Sequence, residues 1–186
     1  SINMNADSAA TASFGIEMKE TGFDAIVVHG RAEKPVYVVV EDGKAKIKDA
    51  RKFWGKDAYA TEDGLKEAEG EDFEVVTIGQ SGERLVRYAN IQTRKKSFLG
   101  RCGLGAVMGS KMLKGIAVNG SQNCPVHDSA ESNRQNKEIN RRVAELDAAQ
   151  PEFLRFKRLG TAGATELFAP QGNLPIRNYS LARFPS

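Results

Sequence analysis

Hydrophobic and polar positions divide the chain into short elements. Phe14-Gly15-Ile16-Glu17-Met18-Lys19 suits one short helix, stopped near Gly22. Strand-like runs follow. Asp24-Ala25-Ile26-Val27-Val28-His29-Gly30 is a compact apolar run ended by glycine, and Val36-Tyr37-Val38-Val39-Val40 is β-branched and aromatic. Glu41-Asp42-Gly43 is a hairpin turn, and Lys44-Ala45-Lys46-Ile47-Lys48 alternates as its return strand. Three consecutive strands with one hairpin predict a largely antiparallel sheet. Thr61 reads as an N-cap, with acids in the first turn, for a helix running to about Glu69. Residues 73–78 form another apolar strand, and residues 84–91 alternate in part as its hairpin partner. A helix over residues 106–113 and a strand over residues 115–120 complete a β-rich unit.

The pattern changes near residue 121. Residues 129–149 are charged and helix-forming, with Ile139, Val143, Leu146 and Ala149 on one face. Pro151 breaks that run, and residues 152–159 predict a second helix. The expected fold class is α+β: a β-rich unit over residues 1–120, then a helical extension over residues 121–186.

Composition narrows the class. The chain has 186 residues, 40% hydrophobic, enough for a real core. No apolar run reaches membrane-helix length and no basic-then-apolar leader opens the chain, so neither a membrane span nor secretion is expected. With 27 basic and 24 acidic residues the net charge is +3, which gives no footprint for nucleic acid. The two cysteines, Cys102 and Cys124, supply neither a disulfide framework nor a C-x-x-C site. A reducing cytoplasm is the expected compartment.

One segment stands apart: Gly100-Arg101-Cys102-Gly103-Leu104-Gly105-Ala106-Val107-Met108-Gly109-Ser110-Lys111. This glycine density reads as something other than core packing, because glycine lets a ligand approach backbone amides closely. Successive N–H groups at a helix start attract anions. Known nucleotide loops fail here. Gly109-Ser110-Lys111 reverses the Walker order, and Met108 stands where the dinucleotide fingerprint needs its third glycine. Spacing alone leaves two readings open, an anion loop or a tight turn before a buried helix.

The segment also resembles the signature of the aldehyde ferredoxin oxidoreductases, continuing through Leu113-Lys114, Ile116-Ala117-Val118 and Gly120. Other blocks agree in order. They are Phe14-Gly15 with Gly22 through Val28; Ile47 through Ala50 with Trp54-Gly55; Ile78-Gly79 with Gly82-Glu83, Leu85-Val86, Ala89 and Ile91; and Gly160-Thr161-Ala162 with Gly172, Leu174-Pro175 and Asn178. The resemblance implies an oxidoreductase that turns aldehydes into carboxylic acids and passes electrons to ferredoxin. Its cofactors would be a tungsten (or molybdenum) bis-pterin, magnesium, and a 4Fe-4S cluster held by parts of the enzyme outside this sequence. This chain would supply the pterin-binding base, no catalytic residue, and no turnover by itself. Its partners would be the remaining domains or subunits, ferredoxin and a second copy.

Residue by residue, Gly100 and Arg101 match family positions that touch the pterin. Ser97 and Phe98 replace the family's Arg-Ala, and the Phe98 carbonyl matches a magnesium ligand. Asp7 and Ser8 stand nearest the family's early Asn-Ser-Gly-Gly; Asp7 is then a hard oxygen donor for magnesium and Ser8 a pterin contact. Cys102 replaces the family's usual glycine. These departures also fit a second reading, a non-catalytic scaffold that keeps the fold without the cofactor.

Overall fold

The computed structural model describes residues 6–10, 13–149 and 156–181. Two compact units divide at Pro125 and Val126. The first is a mixed six-stranded sheet with helices, an α+β architecture as expected. Its strands are β1 (Val36–Glu41), β2 (Lys44–Asp49), β3 (Glu74–Thr77), β4 (Ile91–Thr93), β5 (Ser97–Leu99) and β6 (Leu113–Asn119). Their spatial order is β2-β1-β6-β3-β4-β5. All neighbours are antiparallel except β1 and β6, which run parallel. The last strand thus inserts at the centre of the sheet, and its burial on both faces suits its Ile116-Ala117-Val118 run.

Four helices join this sheet: α1 (Phe14–Glu20), α2 (Ala58–Glu69), α3 (Gln80–Glu83) and α4 (Leu104–Ser110). Period-two alternation gives the sheet two apolar faces. Tyr37, Val39, Val75 and Ala117 pack with Phe53, Leu65 and Phe73 in one cluster. Val76, Ile78, Ile91, Met108 and Leu113 form a second cluster, joined by Phe14, Val28, Leu99 and Leu104.

The hairpin of β1 and β2 turns at Asp42 and Gly43 as expected, both at positive φ. The Asp42 carboxylate accepts from the Ser121 amide at 2.8 Å and the Ser121 hydroxyl at 2.9 Å. These bonds, the amide first, hold the Asp42 carboxyl below its ordinary value. A depressed carboxyl stabilises the fold above the unfolded pKa and loses that contribution as pH falls through the folded value. Asp42→Asn is therefore expected to flatten the acid limb of the stability curve below about pH 4. Urea midpoints across that range measure it; unchanged acid sensitivity would contradict it.

Several expectations fail for tertiary reasons. Residues 24–30 form no strand, because both edges of β1 are taken by β2 and β6. Ile26 and Val28 instead turn toward an apolar hollow. Residues 84–91 are not one strand either. Leu85 adopts φ 58°, and the Val86 amide closes back on the Ser81 carbonyl at 2.9 Å. Only Ile91–Thr93 pairs with β3. The N-cap of α2 is Asp57, which accepts from the Ala60 amide at 2.8 Å. Thr61 lies fully buried inside that helix and donates to the Asp57 carbonyl. The glycine-segment helix spans Leu104–Ser110, not residues 106–113, and Leu113 opens β6.

The second unit is helical. Its α5 (Ser129–Ala149) starts at Asp128, whose carboxylate accepts from the Glu131 amide. Arg134, Arg141 and Arg142 pair with acids three or four residues away. Ile139, Val143 and Leu146 fall on one face and stay about half exposed. Part of the second expected helix, residues 152–155, lies outside the described residues; residues 156–159 are helical. A 3-10 turn (Gly160–Ala164) and α6 (Thr165–Phe168) follow. Among the described residues no helix is long and apolar enough to cross a membrane.

Candidate functional site

The glycine segment splits into two halves with different work. Three of its four glycines pack backbone against backbone. A Cβ on Gly103 would lie 1.9 Å from the Arg87 carbonyl oxygen, and one on Gly109 would lie 1.9 Å from that of Gly82. A Cβ on Gly105 would meet the Asn90 carbonyl oxygen at 2.5 Å. Gly103 also sits at φ 66°, a left-handed conformation that favours glycine. The expectation that these glycines are not packing residues is therefore wrong for three of them: α4 can approach α3 and the loop after it only without side chains.

Gly100 differs. An added Cβ there would meet nothing nearer than 4.0 Å. Gly100, Arg101 and Cys102 line a hollow of about 700 Å³ together with Asp7, Ser8, Ala9 and Phe98. Residues far apart in sequence meet here, and the Arg101 amide donates to the Ser8 hydroxyl at 3.2 Å. Five of the six expected site residues, Asp7, Ser8, Phe98, Gly100 and Arg101, share this hollow. Ser97 does not line it. In the register of β5 it pairs with Thr93, one residue out of phase with Phe98, so its side chain takes the opposite face.

Cys102 lines the same hollow, is exposed, and adopts φ 62°. It keeps a backbone conformation that glycine prefers. Among the described residues no group of three His, Cys, Asp or Glu side chains converges as a metal cage. An ion here would need ligands from a bound group as well as from Asp7. That suits magnesium, which commonly takes one or two carboxylates plus phosphate oxygens.

A buried ion pair supports this region from behind. The Lys114 side chain on β6 is 0% exposed and the Glu83 side chain on α3 is 6% exposed. The Lys114 ammonium donates to Glu83 and, at 2.8 Å, to the Lys56 carbonyl. Glu83 also accepts from the Gly55 amide at 2.9 Å. Burial pushes the Lys114 ammonium below its ordinary value, and Glu83 opposes that shift. The pair fixes α3, α3 seats α4 through Gly82 and Gly109, and α4 follows directly on residues 100–103. Sequence reading placed both residues within family blocks but gave them no structural role. Only their burial reveals it.

Comparison with known proteins identifies the family of this chain. Residues 2–120 match the family described as aldehyde ferredoxin oxidoreductase, N-terminal domain. Tungsten-containing aldehyde ferredoxin oxidoreductase of Pyrococcus furiosus is 39% identical over 178 residues, covering 92% of this chain and 28% of that protein. The enzyme of the same name from Thermococcus kodakarensis is 38% identical over 177 residues, with the same coverage. The aliphatic sulfonate oxidoreductase, WOR-like subunit, of P. furiosus is 31% identical over 189 residues. Among solved structures, the active site complex BamBC of benzoyl coenzyme A reductase with 1,5 dienoyl-CoA matches with TM-score 0.60 and 35% identity. That match covers 62% of this chain and 18% of the other. The chain thus spans little more than a quarter of its curated relatives. On the extent of the family match, this chain belongs to the aldehyde ferredoxin oxidoreductase family, and its residues 2–120 correspond to the family's N-terminal domain.

Proposed function

We propose that this chain is the pterin-binding base of a tungsten (or molybdenum) bis-pterin oxidoreductase that oxidises aldehydes to carboxylic acids, with ferredoxin as electron acceptor. The observation that carries this reading is the convergence of Asp7, Ser8, Phe98, Gly100 and Arg101 on one hollow. The residues suit a phosphate-bearing group. Gly100 leaves its backbone open to close approach. Arg101 is exposed, and its planar guanidinium suits bidentate phosphate contact. Ser8 holds the Arg101 amide and so joins the two chain segments. Asp7 and the Phe98 carbonyl would hold magnesium as hard oxygen donors. When bound, the cofactor supplies the two-electron redox chemistry; the residues here bind and orient it. The 4Fe-4S cluster and the acid–base groups belong, in this reading, to other parts of the enzyme, and a second copy of the chain is a further expected partner.

The scaffold reading keeps one specific observation in its favour. Phe98, where the family has a small residue, is 45% exposed and lines the hollow. One experiment separates the two: metal analysis with fluorescence of oxidised pterin on protein isolated from its native source. Tungsten or molybdenum with about two pterins per chain is expected. Arg101→Ala should lower the pterin content several-fold without moving the melting temperature, since Arg101 is exposed. Absence of both metal and pterin would leave the scaffold reading standing.

A further inference from the structure

The β4–β5 hairpin carries Phe98 and runs straight into Gly100 and Arg101, so its turn helps to set where those residues stand. That turn has an uncommon composition. Arg94 and Lys95, the central residues of the turn Thr93–Lys96, adopt φ 52° and φ 55°. Tight hairpins want positive φ at both central positions, and Asn-Gly or Asp-Gly ordinarily supplies it at little cost. Neither Arg nor Lys favours that conformation, because its Cβ crowds the backbone there. The closing bond, from the Lys96 amide to the Thr93 carbonyl, is long at 3.4 Å. A turn of this kind persists only when its surroundings hold it.

The hold comes from a buried carboxylate on α2. Glu62 is 4% exposed and accepts from the Lys95 backbone amide at 3.1 Å. The same oxygen accepts from the Gln92 side-chain amide at 3.5 Å. Gln92 is itself buried and stands directly opposite Phe98 in the strand register. One carboxylate therefore touches the hairpin twice, at its turn and at the cross-strand partner of Phe98. Two further contacts at the tip lie in solvent. The Lys95 ammonium pairs with Asp63 at 2.5 Å, and the Arg94 guanidinium donates to the Ser13 hydroxyl at 2.9 Å. Exposed pairs of this kind contribute little, whereas a buried bond to a carboxylate is among the stronger ones.

We infer that Glu62 is a positioning residue for the hollow that holds Arg101. Its carboxylate does for Arg94 and Lys95 what a glycine would do by itself: it keeps the turn in the left-handed conformation. The turn fixes β5, and β5 delivers Phe98, Gly100 and Arg101 to the hollow. The inference rests on the reading of that hollow as a phosphate-binding cradle.

The test reads the turn and the hollow separately. Hydrogen exchange at the Lys95 amide reports the turn. Pterin content of the enzyme isolated from its native source reports the hollow, as does calorimetric titration of the 186-residue chain with inorganic phosphate. In Glu62→Ala, exchange at Lys95 should quicken at least about tenfold, and pterin content and phosphate affinity should fall several-fold. Glu62→Gln keeps an acceptor oxygen and should lose less. Asp63→Asn removes only the exposed pair and should change none of the three. Adding Arg94→Asn and Lys95→Gly to Glu62→Ala should restore both binding readouts, because that turn needs no outside hold. A merely structural role for Glu62 would not be relieved by a change of turn residues.

Unchanged exchange at Lys95 in Glu62→Ala would overturn the inference. So would a rescue that returns the melting temperature but neither binding readout. Should Glu62→Ala not fold, Glu62→Gln decides: its deficit must vanish when Arg94→Asn and Lys95→Gly are present, and an equal deficit in both backgrounds overturns the positioning role. A parent enzyme without pterin whose chain still binds phosphate in a Glu62-dependent way would sink the functional reading and leave the positioning role standing. A parent that binds neither would overturn both.

Discussion

Gly109→Ala is expected to cost about 3 kcal/mol or more and to leave little folded protein at ordinary temperature. The added methyl would sit 1.9 Å from the Gly82 carbonyl oxygen, a backbone atom that no rotamer change can move aside. Relief requires α4 to lift away from α3, and lifting it opens the second apolar cluster at Met108 and Leu104. Gly103→Ala should behave alike, since it combines a 1.9 Å approach to the Arg87 carbonyl with φ 66°. Gly100→Ala provides the contrast. The nearest atoms to the new methyl lie at 4.0 Å, so its stability should change by no more than about 0.5 kcal/mol. Urea midpoints give the comparison. Equal midpoints for the Gly109 and Gly100 variants would refute the division of this segment into a packing half and an open half.

The second large effect concerns Lys114 and Glu83. Lys114→Met should destabilise the chain by about 3–5 kcal/mol, because it leaves a buried carboxylate without its counter-charge. Glu83→Leu should cost a similar amount, since the ammonium would keep only the Lys56 carbonyl. The double variant should cost less than the sum of the singles, because removing both charges also removes their desolvation. Strict additivity in this cycle would show that the two groups are not coupled. The pH dependence has a definite sign. Burial holds the folded ammonium below its ordinary value of 10.5, so between those values the unfolded chain binds more protons. The parent should therefore gain stability with rising pH through that alkaline window, and Lys114→Met should lack the gain. Loss of the pair should also loosen the seat of α3 beneath α4 and lower phosphate affinity at Arg101 without any change in the hollow's own residues.

Much of this was legible from residue patterns. The β-branched run Val36 to Val40 followed by Asp42-Gly43 leaves little but a hairpin, because local backbone preference and alternation agree. The 21-residue charged helix α5 is equally local, capped by Asp128 and laced by charges three and four residues apart. Family blocks in the right order point to Gly100 and Arg101, and Asp7, Ser8 and Phe98 meet them at one hollow.

What local pattern cannot carry is competition for partners. The run from Ile26 to Val28 is apolar enough for a strand, yet the neighbouring edges are already paired, so its side chains are used and its backbone is not. Leu85 to Ile91 alternates like a strand, but the glycine contacts of α3 and α4 hold the chain in a turn there. The glycine-rich segment shows the same division most plainly. Its sequence determined that the backbone could come close to something. Only the tertiary structure decided what: a neighbouring backbone at Gly103, Gly105 and Gly109, and open space at Gly100. The physical reason is that a missing Cβ permits close approach from any direction, while the identity of the approaching atom depends on where distant segments of the chain are packed.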